Sequence, residues 1–319
     1  AAAVAAWMLY RERESQIRKL PIDAIGLALL VVWVGAMQVM LDLGKEHDWF
    51  HSSMVVTLAV VAVVGFIAFL IWELTEKHPV VDLTLYQRRN FWAGSLALSI
   101  AYGVFFGNVV LLPLWLQQYM GYTATQAGMV LAPVGVMALV LSPVVGKSIG
   151  KVDPRYFATF AFLVFALVLW MRSHFNTQAD IATIMIPTII QGVAMAFFFI
   201  PLVTITLSGL PPERIPAASG LSNFTRITAG AVGTSVATTL WESRAAMHHA
   251  HLVESITLGN PTASGALSGL ASSGINAEQA LAQVNRMVDQ QAFMLAANDI
   301  FYMSAALFLL LIPLIWMTQ

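Results

Sequence analysis

The sequence predicts an all-α integral membrane protein, and three observations indicate this fold class. Of the 319 residues, 58% are hydrophobic and only 10% are charged, and the mean hydropathy is +0.75. Soluble domains carry about a quarter charged residues. The apolar residues lie in runs long enough to cross a bilayer, and the positive charges are divided unequally between the segments that connect these runs.

Eight segments reach the length of about 20 apolar residues that a transmembrane helix needs. They are continuously apolar and do not alternate, so they do not match the strands of a membrane β-barrel. The predicted spans are 21–41, 54–74, 91–117, 125–146, 156–172, 182–208, 217–241 and 295–317.

The chain begins with ten mostly apolar residues that are followed by a charged run. A signal peptide has the opposite order, with its charges before its apolar run. We therefore interpret 1–10 as the end of a transmembrane helix that starts upstream, and 11–20 as a cytoplasmic linker. On this interpretation the chain is part of a longer protein.

The positive charges predict the orientation in the membrane, because positive loops stay in the cytoplasm. One set of connecting segments carries eleven lysine and arginine residues, and Arg226 lies inside a predicted span. The other set carries four, which are Lys45, Arg172, Arg244 and Arg286. The segment 11–20 is then cytoplasmic, and eight crossings return the C-terminus to the cytoplasm.

Composition also argues against several function classes. A net charge of −1 does not suit a nucleic-acid partner, which prefers a basic surface. The absence of cysteine excludes disulfides and thiolate metal sites. Within the apolar framework the sequence shows no catalytic triad, paired carboxylates or phosphate loop, so we expect neither an enzyme nor a cofactor.

The stretch "MHHAH" places His248 and His251 at a helical spacing that a metal could use. No acid or cysteine near them in sequence completes a ligand set. We therefore predict a polar patch beside the membrane and no metal site.

The long connecting segment 242–294 is predicted to lie on the outer side. Its Gly- and Ser-rich first part is expected to be irregular, and 276–294 is expected to form a helix with Asn276 as N-cap and Glu278 in the first turn. The segment is either a solvated hairpin or a docking surface for another protein.

Arg226 lies ten residues into the predicted span 217–241, about 14 Å deep at 1.5 Å per residue. At that depth its side chain cannot easily reach water. Asn223 and Gly230 share its helical face. Arg226 is either a fixed hydrogen-bond anchor between helices, or a base that faces a cavity and promotes loss of the proton from an approaching acid.

Several stretches, in order along the chain, resemble one family, the 14-helix drug:proton antiporters of the major facilitator superfamily. "PIDAIGLALL" resembles the D-x-x-G-x-x-L pattern of their seventh helix, and "LPLWLQQYMGYTATQAGMVLAPVGV" resembles the connection between their ninth and tenth helices. "SPVVGKSIGKVDPR" resembles the loop motif of the superfamily, and "SGLPPERIPAASGLSNFTRITAGAVGTS" resembles the start of their thirteenth helix. "MQVMLDLGKEHDWF" brings the likeness nearest to the EmrB-type multidrug exporters.

The resemblance implies proton-coupled export of hydrophobic drugs or toxic amphipathic compounds across the bacterial inner membrane, by antiport with alternating access. The alternatives are an exporter of a specific metabolite or siderophore, and a membrane scaffold or receptor that does not transport. On this mapping 21–74 contains two extra helices, 75–90 is a cytoplasmic linker, and 91–319 is the six-helix C-terminal lobe.

The resemblance also implies partners. Small hydrophobic or cationic substrates, protons and the lipid bilayer are expected. An EmrA-type periplasmic adaptor and an outer-membrane channel would complete the export path, and the segment 242–294 is the part best placed to contact the adaptor. The proton-carrying acid of the family lies on a helix upstream of this chain.

Asp23, Gly26 and Leu29 form a motif at the start of the first complete helix. Asp23 is expected to cap free backbone N–H groups, and Gly26 to let another helix approach closely. We interpret this motif as structural.

A second motif lies in "GKSIGKVDPR". The resemblance implies a cytoplasmic charge latch, in which two glycines permit tight packing and basic residues flank an acid. Ordinary positive loop charge is the alternative. The residues are Gly146, Lys147, Gly150, Asp153 and Arg155.

Two segments, 91–117 and 182–208, combine aromatic residues, methionine and a few amides, a lining that suits flat, apolar and often cationic molecules. The alternative is packing between helices, and consecutive residues such as 197–199 cannot all face one cavity. The candidate cavity residues are Tyr102, Phe105, Asn108, Trp115, Gln191, Met195 and Phe198.

Asp299 is predicted to lie at the outer end of the last span, where we expect it to act near the helix N-terminus as a solvated cap. An outer proton site is the alternative. The candidate residues for proton coupling or gating are Arg226, Asn223 and Asp299.

Overall fold

The computed structural model describes residues 7–8, 23–254, 256, 260–272, 274 and 276–319, and these residues are almost entirely helical. The segments 1–6 and 9–22, which include most of the predicted upstream helix end and its linker, lie outside the described residues. The helices are α1 (Ala24–Leu43), α2 (Ser53–Thr75), α3 (Arg89–Tyr119), α4 (Ala124–Ser148), α5 (Pro154–Arg172), α6 (Ile181–Ala196), α7 (Phe199–Leu207), α8 (Ile215–Glu254), α9 (Pro261–Ser272) and α10 (Ala277–Trp316).

Seven helical segments in the described part of the chain are long and apolar enough to cross a membrane, with α6 and α7 counted together. They correspond to seven of the eight predicted spans. The eighth, 217–241, forms part of α8 but does not reach the same hydropathy, because serine, threonine, glycine and Arg226 interrupt its apolar residues. It still packs along α3 and α10, so α8 belongs to the same bundle.

Local capping determines where several helices begin. Asp23 Oδ1 accepts a hydrogen bond from the Gly26 N–H at 2.9 Å, and Asn276 forms a capping box with Gln279 at the start of α10. These caps satisfy backbone donors that the first helical turn leaves free. The other side-chain caps are Thr123 for α4, Asp153 for α5 and Asp180 for α6.

The predicted span 182–208 is not one continuous helix. The helix breaks at Phe197 and Phe198, between α6 and α7. Pro201 has no N–H to bond the carbonyl of Phe197, so the regular ladder cannot run through this point. The predicted span 182–208 is confirmed as one apolar segment of membrane-crossing length, Ile181–Leu207, with this break inside it.

The segment 242–294 is more regular than the sequence suggests. The helix α8 continues to Glu254, α9 occupies 261–272, and α10 starts at Ala277. The prediction of irregular structure in the Gly- and Ser-rich part is wrong for α9, whereas the predicted helix start at Asn276 is confirmed. Residues 255, 257–259, 273 and 275 lie outside the described residues.

The helices α3 and α8 cross at very short range because glycine faces glycine. A Cβ atom on Gly103 would lie 2.7 Å from the carbonyl oxygen of Ala229, and one on Gly107 would lie 2.9 Å from that of Gly233. The hydrophobic core beside this crossing is aromatic, and the Phe165 and Phe308 rings are stacked 4.9 Å apart.

The helices α1 and α2 pack as a pair. The ring of Trp33 lies 5.0 Å from that of Phe66 on α2 and 6.0 Å from that of Phe224 on α8, so it joins the pair to the main bundle. The C-terminal end of α1 is fixed to α8 as well, by a 2.7 Å ion pair between Lys45 and Glu242.

Candidate functional site

Arg226 is half-buried on α8, where its guanidinium group lies over two aromatic rings. The group is 4.7 Å from the centre of the Tyr102 ring and 5.3 Å from that of Phe199. Its Nη2 also donates a hydrogen bond to Oδ1 of Asn223. Among the described residues, no carboxylate forms an ion pair with Arg226.

A glycine makes room for this arrangement. A Cβ atom on Gly230 would lie 2.9 Å from the Tyr102 ring, so the ring can lie flat against α8 only because the side chain is absent. The Tyr102 ring packs in turn on Phe106, with ring centres 4.4 Å apart. The cation is thus held by ring faces and one amide, which stabilise its charge without neutralising it.

A cavity of about 520 Å³ lies beside this cluster, between α1, α3 and α8. Its size is within the range of small-molecule sites. Its wall combines two aromatic rings, several hydroxyl groups and charged residues at one end. The lining residues are Gln38, Leu41, Asp42, Lys45, Tyr102, Phe106, Ile227, Gly230, Ala231, Thr234, Ser235 and Thr238.

Tyr102 is the predicted cavity residue that lines this cavity. Asn108 lines a smaller, apolar cavity of about 180 Å³, and its amide donates to the carbonyl of Val104 and to Oγ of Ser304 at 2.7 and 2.9 Å. Met195 is half-buried against the lobe core.

Phe105, Trp115 and Phe198 belong to the packed interior, since their exposed fractions are 6%, 1% and 0%. They line neither of the two cavities described above, and their part in substrate binding stays a prediction. Phe199, the neighbour of Phe198, faces Arg226 instead. The break between α6 and α7 sets which of these two rings turns inward, and helical periodicity could not reveal it.

Gln191 has a structural partner that the sequence did not suggest. Its Oε1 accepts a 2.6 Å hydrogen bond from Nη2 of Arg172, which also lies 3.2 Å from Oγ1 of Thr188. The charge pattern places Arg172 in an outer connecting segment, but its side chain is only 1% exposed. The last turn of α5 therefore points this arginine into the bundle.

Asp299 does not act as a helix cap, because it lies well inside α10, which begins at Ala277. Its Oδ2 is 2.8 Å from Nε2 of His248 and 3.7 Å from Nη1 of Arg244, both on α8. His248 follows Arg226 by 22 residues on the same helix, which is about 33 Å. The structure therefore joins Arg226 to Asn223 and places Asp299 at a separate site.

The predicted latch residues lie around the α4–α5 connection. Gly146 and Gly150 do not serve tight packing here, because a Cβ atom on either one would meet nothing within 4 Å. Asp153 caps α5 and lies 3.6 Å from Nε of Arg155. Lys147 is exposed in the last turn of α4.

The motif at the start of α1 has a further contact. Besides capping the helix, Asp23 accepts a 2.9 Å hydrogen bond from Nε1 of Trp72 on α2. A Cβ atom on Gly26 would lie 2.8 Å from Oε1 of Glu73, so the two helices meet closely at this glycine. Leu29 is half-buried.

The histidines 248 and 249 face acids of α10. Nε2 of His249 lies 3.4 Å from Oδ1 of Asp289. This pair is similar to the one that His248 forms with Asp299. Within the residues that the structure describes, no group of three or more metal-ligating side chains comes together. Sequence spacing alone could not identify these pairs, because their members are 40 or more residues apart.

Comparison with known proteins identifies the family. The family model described as the Major Facilitator Superfamily matches residues 2–234. The chain is 47% identical over 310 residues to the multidrug export protein EmrB of Escherichia coli K12, covering 97% of this chain and 60% of that protein. It is 42% identical to the fatty acid resistance protein FarB of Neisseria gonorrhoeae, covering 98% and 62%.

The chain thus spans about three fifths of the length of these relatives. A more distant match is the lincomycin resistance protein LmrB of Bacillus subtilis, 28% identical over 232 residues, which is 72% of this chain. The apolar helices and the family match together make this a multi-pass membrane protein. The chain belongs to the Major Facilitator Superfamily.

Proposed function

We propose that this chain is the C-terminal part of a proton-coupled exporter of hydrophobic drugs and toxic amphipathic compounds. The names of its relatives support export and resistance. The observation that carries the proposal is Arg226, a charged group inside a helical bundle that no described carboxylate neutralises. Charges in such positions are costly and mark ion pathways.

The surroundings of Arg226 would allow it to control the protonation of a carboxylate that approaches it. Its two ring contacts and the Asn223 amide hold the guanidinium in place but leave it able to attract an acid. When a carboxylate of the opposite lobe approaches, the positive charge favours its ionised form and the proton leaves. When the lobes rock apart, that carboxylate takes up a proton again. Alternating access would link these two steps to substrate movement.

The same proposal includes location and partners. The chain would cross the bacterial inner membrane with its C-terminus in the cytoplasm, as the positive charges predict. The outer-side segment 242–294 would contact an EmrA-type periplasmic adaptor, which connects to an outer-membrane channel. No enzymatic activity or cofactor is proposed.

The experiment uses the full-length protein in vesicles with an imposed pH gradient. Internal pH is followed while drugs are added, and a long-chain fatty acid is included because one relative is named for resistance to fatty acids. We expect drug-dependent proton movement. Folded protein that moves no protons with any compound would contradict the proposal and favour a specific-metabolite exporter or a protein that does not transport.

Arg226→Gln tests the role of the arginine in the same assay. If Arg226 controls proton release, this variant shifts the pH dependence of transport while the amount of folded protein stays normal. Asn223→Ala is the comparison, since it removes the amide contact and keeps the charge. If Arg226→Gln changes only the amount of folded protein, Arg226 is a structural anchor.

A further inference from the structure

A cavity of about 340 Å³ lies where the C-terminal end of α5 meets α8 and α10. It is separate from the cavity beside Arg226, and its size is within the range of small-molecule sites. Two exposed aromatic residues, Trp170 on α5 and Tyr302 on α10, border it together with polar side chains. The proposed transport mechanism gives this cavity no role.

The aromatic residues indicate that this cavity lies at a surface of the membrane. Tryptophan and tyrosine are enriched where a membrane protein meets the two membrane–water interfaces. At the opposite end of the same two helices, Tyr156 and Trp316 form a second exposed pair, with ring centres 5.4 Å apart. The helices α5 and α10 therefore carry one aromatic pair near each end of their shared face.

Between the two aromatic pairs, the exposed side chains of α5 and α10 are apolar. In a membrane-spanning bundle, such a surface contacts the hydrocarbon chains of lipids. A lipid that lies against this surface has its headgroup at the cavity. The large exposed residues are Phe160, Leu163 and Leu167 on α5 and Leu307, Leu309 and Leu310 on α10.

The cavity offers hydrogen-bond acceptors that the described part of the chain does not use. Oδ2 of Asp299 contacts His248, but no described residue donates a hydrogen bond to Oδ1 of Asp299. The amide of Asn298 donates to the carbonyl of Phe175 at 2.8 Å, which fixes its orientation. Its Oδ1 is left buried and without a partner. A buried acceptor of this kind calls for a donor from water or a ligand.

His174 supplies a further acceptor at the rim of the cavity. Its Nδ1 lies 2.8 Å from the carbonyl oxygen of Trp170. Because a carbonyl oxygen only accepts, Nδ1 carries the hydrogen, and Nε2 of the neutral ring is then an acceptor.

Arg244 is the arginine of the cavity wall, and it is able to bind an anion. Its Nη1 lies 3.7 Å from Oδ2 of Asp299, which is longer than a hydrogen bond, and its side chain is 42% exposed. A guanidinium group matches the geometry of a phosphate. Arg244 and Asp299 together carry one positive and one negative charge, so the cavity suits a ligand that also has one of each.

We propose that this cavity binds the headgroup of a membrane phospholipid that carries a primary amine, a phosphatidylethanolamine. The phosphate binds Arg244. The ammonium group has three N–H donors for Asp299, Asn298 and His174, and the lipid chains lie along the apolar face of α5 and α10. A choline headgroup has the same charges but no N–H donor, so the cavity distinguishes the two lipids. This proposal does not depend on the proposed export function.

The test measures lipid binding to the purified full-length protein in detergent by native mass spectrometry, which resolves each bound lipid. The probes are dioleoylphosphatidylethanolamine and dioleoylphosphatidylcholine, which have identical chains. We expect the first phosphatidylethanolamine to bind roughly fivefold more tightly than the first phosphatidylcholine, as for one additional hydrogen bond. Asp299→Asn should remove this preference. Arg244→Gln should weaken both lipids equally, because both carry the phosphate.

Asp289→Asn is the matched control. It removes a carboxylate that also pairs a histidine of α8 with α10, through His249, but Asp289 does not line the cavity. This variant should keep the preference for phosphatidylethanolamine. Equal affinity of the wild-type protein for both lipids, a preference that persists in Asp299→Asn, or an equal loss in Asp289→Asn would overturn the proposal.

A final arm separates a lipid from a soluble ligand. Glycerophosphoethanolamine has the same headgroup without the chains, and we expect it not to displace the bound lipid at an equal concentration. Displacement at that concentration would show that the cavity binds a soluble phosphoamine and would rule out the lipid as its specific occupant. Proton movement is not measured in any arm, so a failure of this site is distinguishable from a failure of proton-coupled export.

Discussion

His248 on α8 and Asp299 on α10 are joined by a 2.8 Å hydrogen bond between Nε2 and Oδ2. Asp299 also forms an ion pair with Arg244, whose Nη1 lies 3.7 Å from Oδ2. One carboxylate therefore ties two positions of α8 to α10. On α8 both positions follow Trp241, whose Nε1 donates to the carbonyl of Phe293 on α10.

Replacing this carboxylate should loosen the two helices locally. Asp299→Ala removes a hydrogen bond worth about 1 kcal/mol. We expect faster backbone hydrogen exchange in residues 242–254 and little change at the start of α8. His251→Ala, on an exposed position of the same helix, is the control. Equal exchange in wild type and Asp299→Ala would show that the pair does not hold the helices together.

The crossing of α3 and α8 gives a second prediction. A Cβ atom on Gly233 would overlap the backbone of Gly103, so Gly233→Ala must push the helices apart. Overpacking of this kind costs about 1–3 kcal/mol, and we expect a lower thermal unfolding temperature of the purified protein.

Gly220→Ala is the matched control for that change. It lies on the same helix, where an added Cβ atom meets nothing within 4 Å, and alanine favours helix more than glycine does. This variant should be as stable as wild type or slightly more stable. If both variants unfold at the same temperature, the close crossing of α3 and α8 contributes nothing to the stability of the protein.

The buried arginine gives a third prediction. Gln191→Leu leaves the Arg172 guanidinium without its 2.6 Å acceptor in a fully buried position. A buried charged group that loses a hydrogen-bond partner costs about 1–3 kcal/mol or more, whereas replacing both partners by apolar residues is often tolerated. We therefore expect Gln191→Leu to unfold at a much lower temperature, and Arg172→Met with Gln191→Leu to recover most of the loss.

A double variant no more stable than Gln191→Leu would contradict this account. It would mean that Arg172 contributes through contacts other than its bond to Gln191. Thr188→Val should lower the unfolding temperature by an intermediate amount, because the contact between Arg172 and Thr188 is the longer one, at 3.2 Å.

Substitutions of Asp153 can distinguish its role as a helix cap from the predicted role in a charge latch. Its Oδ1 accepts from the Arg155 N–H at 2.9 Å, and its ion pair with Arg155 is within the same turn. We expect Asp153→Ala to destabilise α5 by about 1 kcal/mol, and Asp153→Ser, which can still cap, to retain stability and transport. Folded Asp153→Ser protein without transport would instead support the charge latch.

Much of the fold could be predicted because its causes are local. Long apolar runs have few alternatives to helix in a membrane, and seven of the predicted spans are apolar helices here. The N-caps at Asp23 and Asn276 depend on residues three positions away, so the sequence predicts them directly.

The site depends on tertiary contacts, and there the sequence predicts less. Arg226 and Asn223 are neighbours on one helix face, and their pairing follows from spacing. The selection of Phe199 over Phe198 depends on a helix break, and the partner of Asp299 lies 51 residues away in the chain. The charge pattern predicts Arg172 with the outer connecting segments, and it cannot reveal the burial because that depends on a neighbouring helix that offers two acceptors.

The lengths of α8 and α10 have a mechanical consequence. Each helix has 40 residues and is about 60 Å long, twice the thickness of the hydrocarbon core of a bilayer. Both are continuous, so a rotation of the lobe is carried rigidly to their far ends. A tilt of about 10° moves a point about 30 Å from the pivot by about 5 Å, roughly one helical turn. Under the alternating access proposed above, the two helices would form a lever that converts a small rocking motion of the lobe into a displacement of about 5 Å at their far ends.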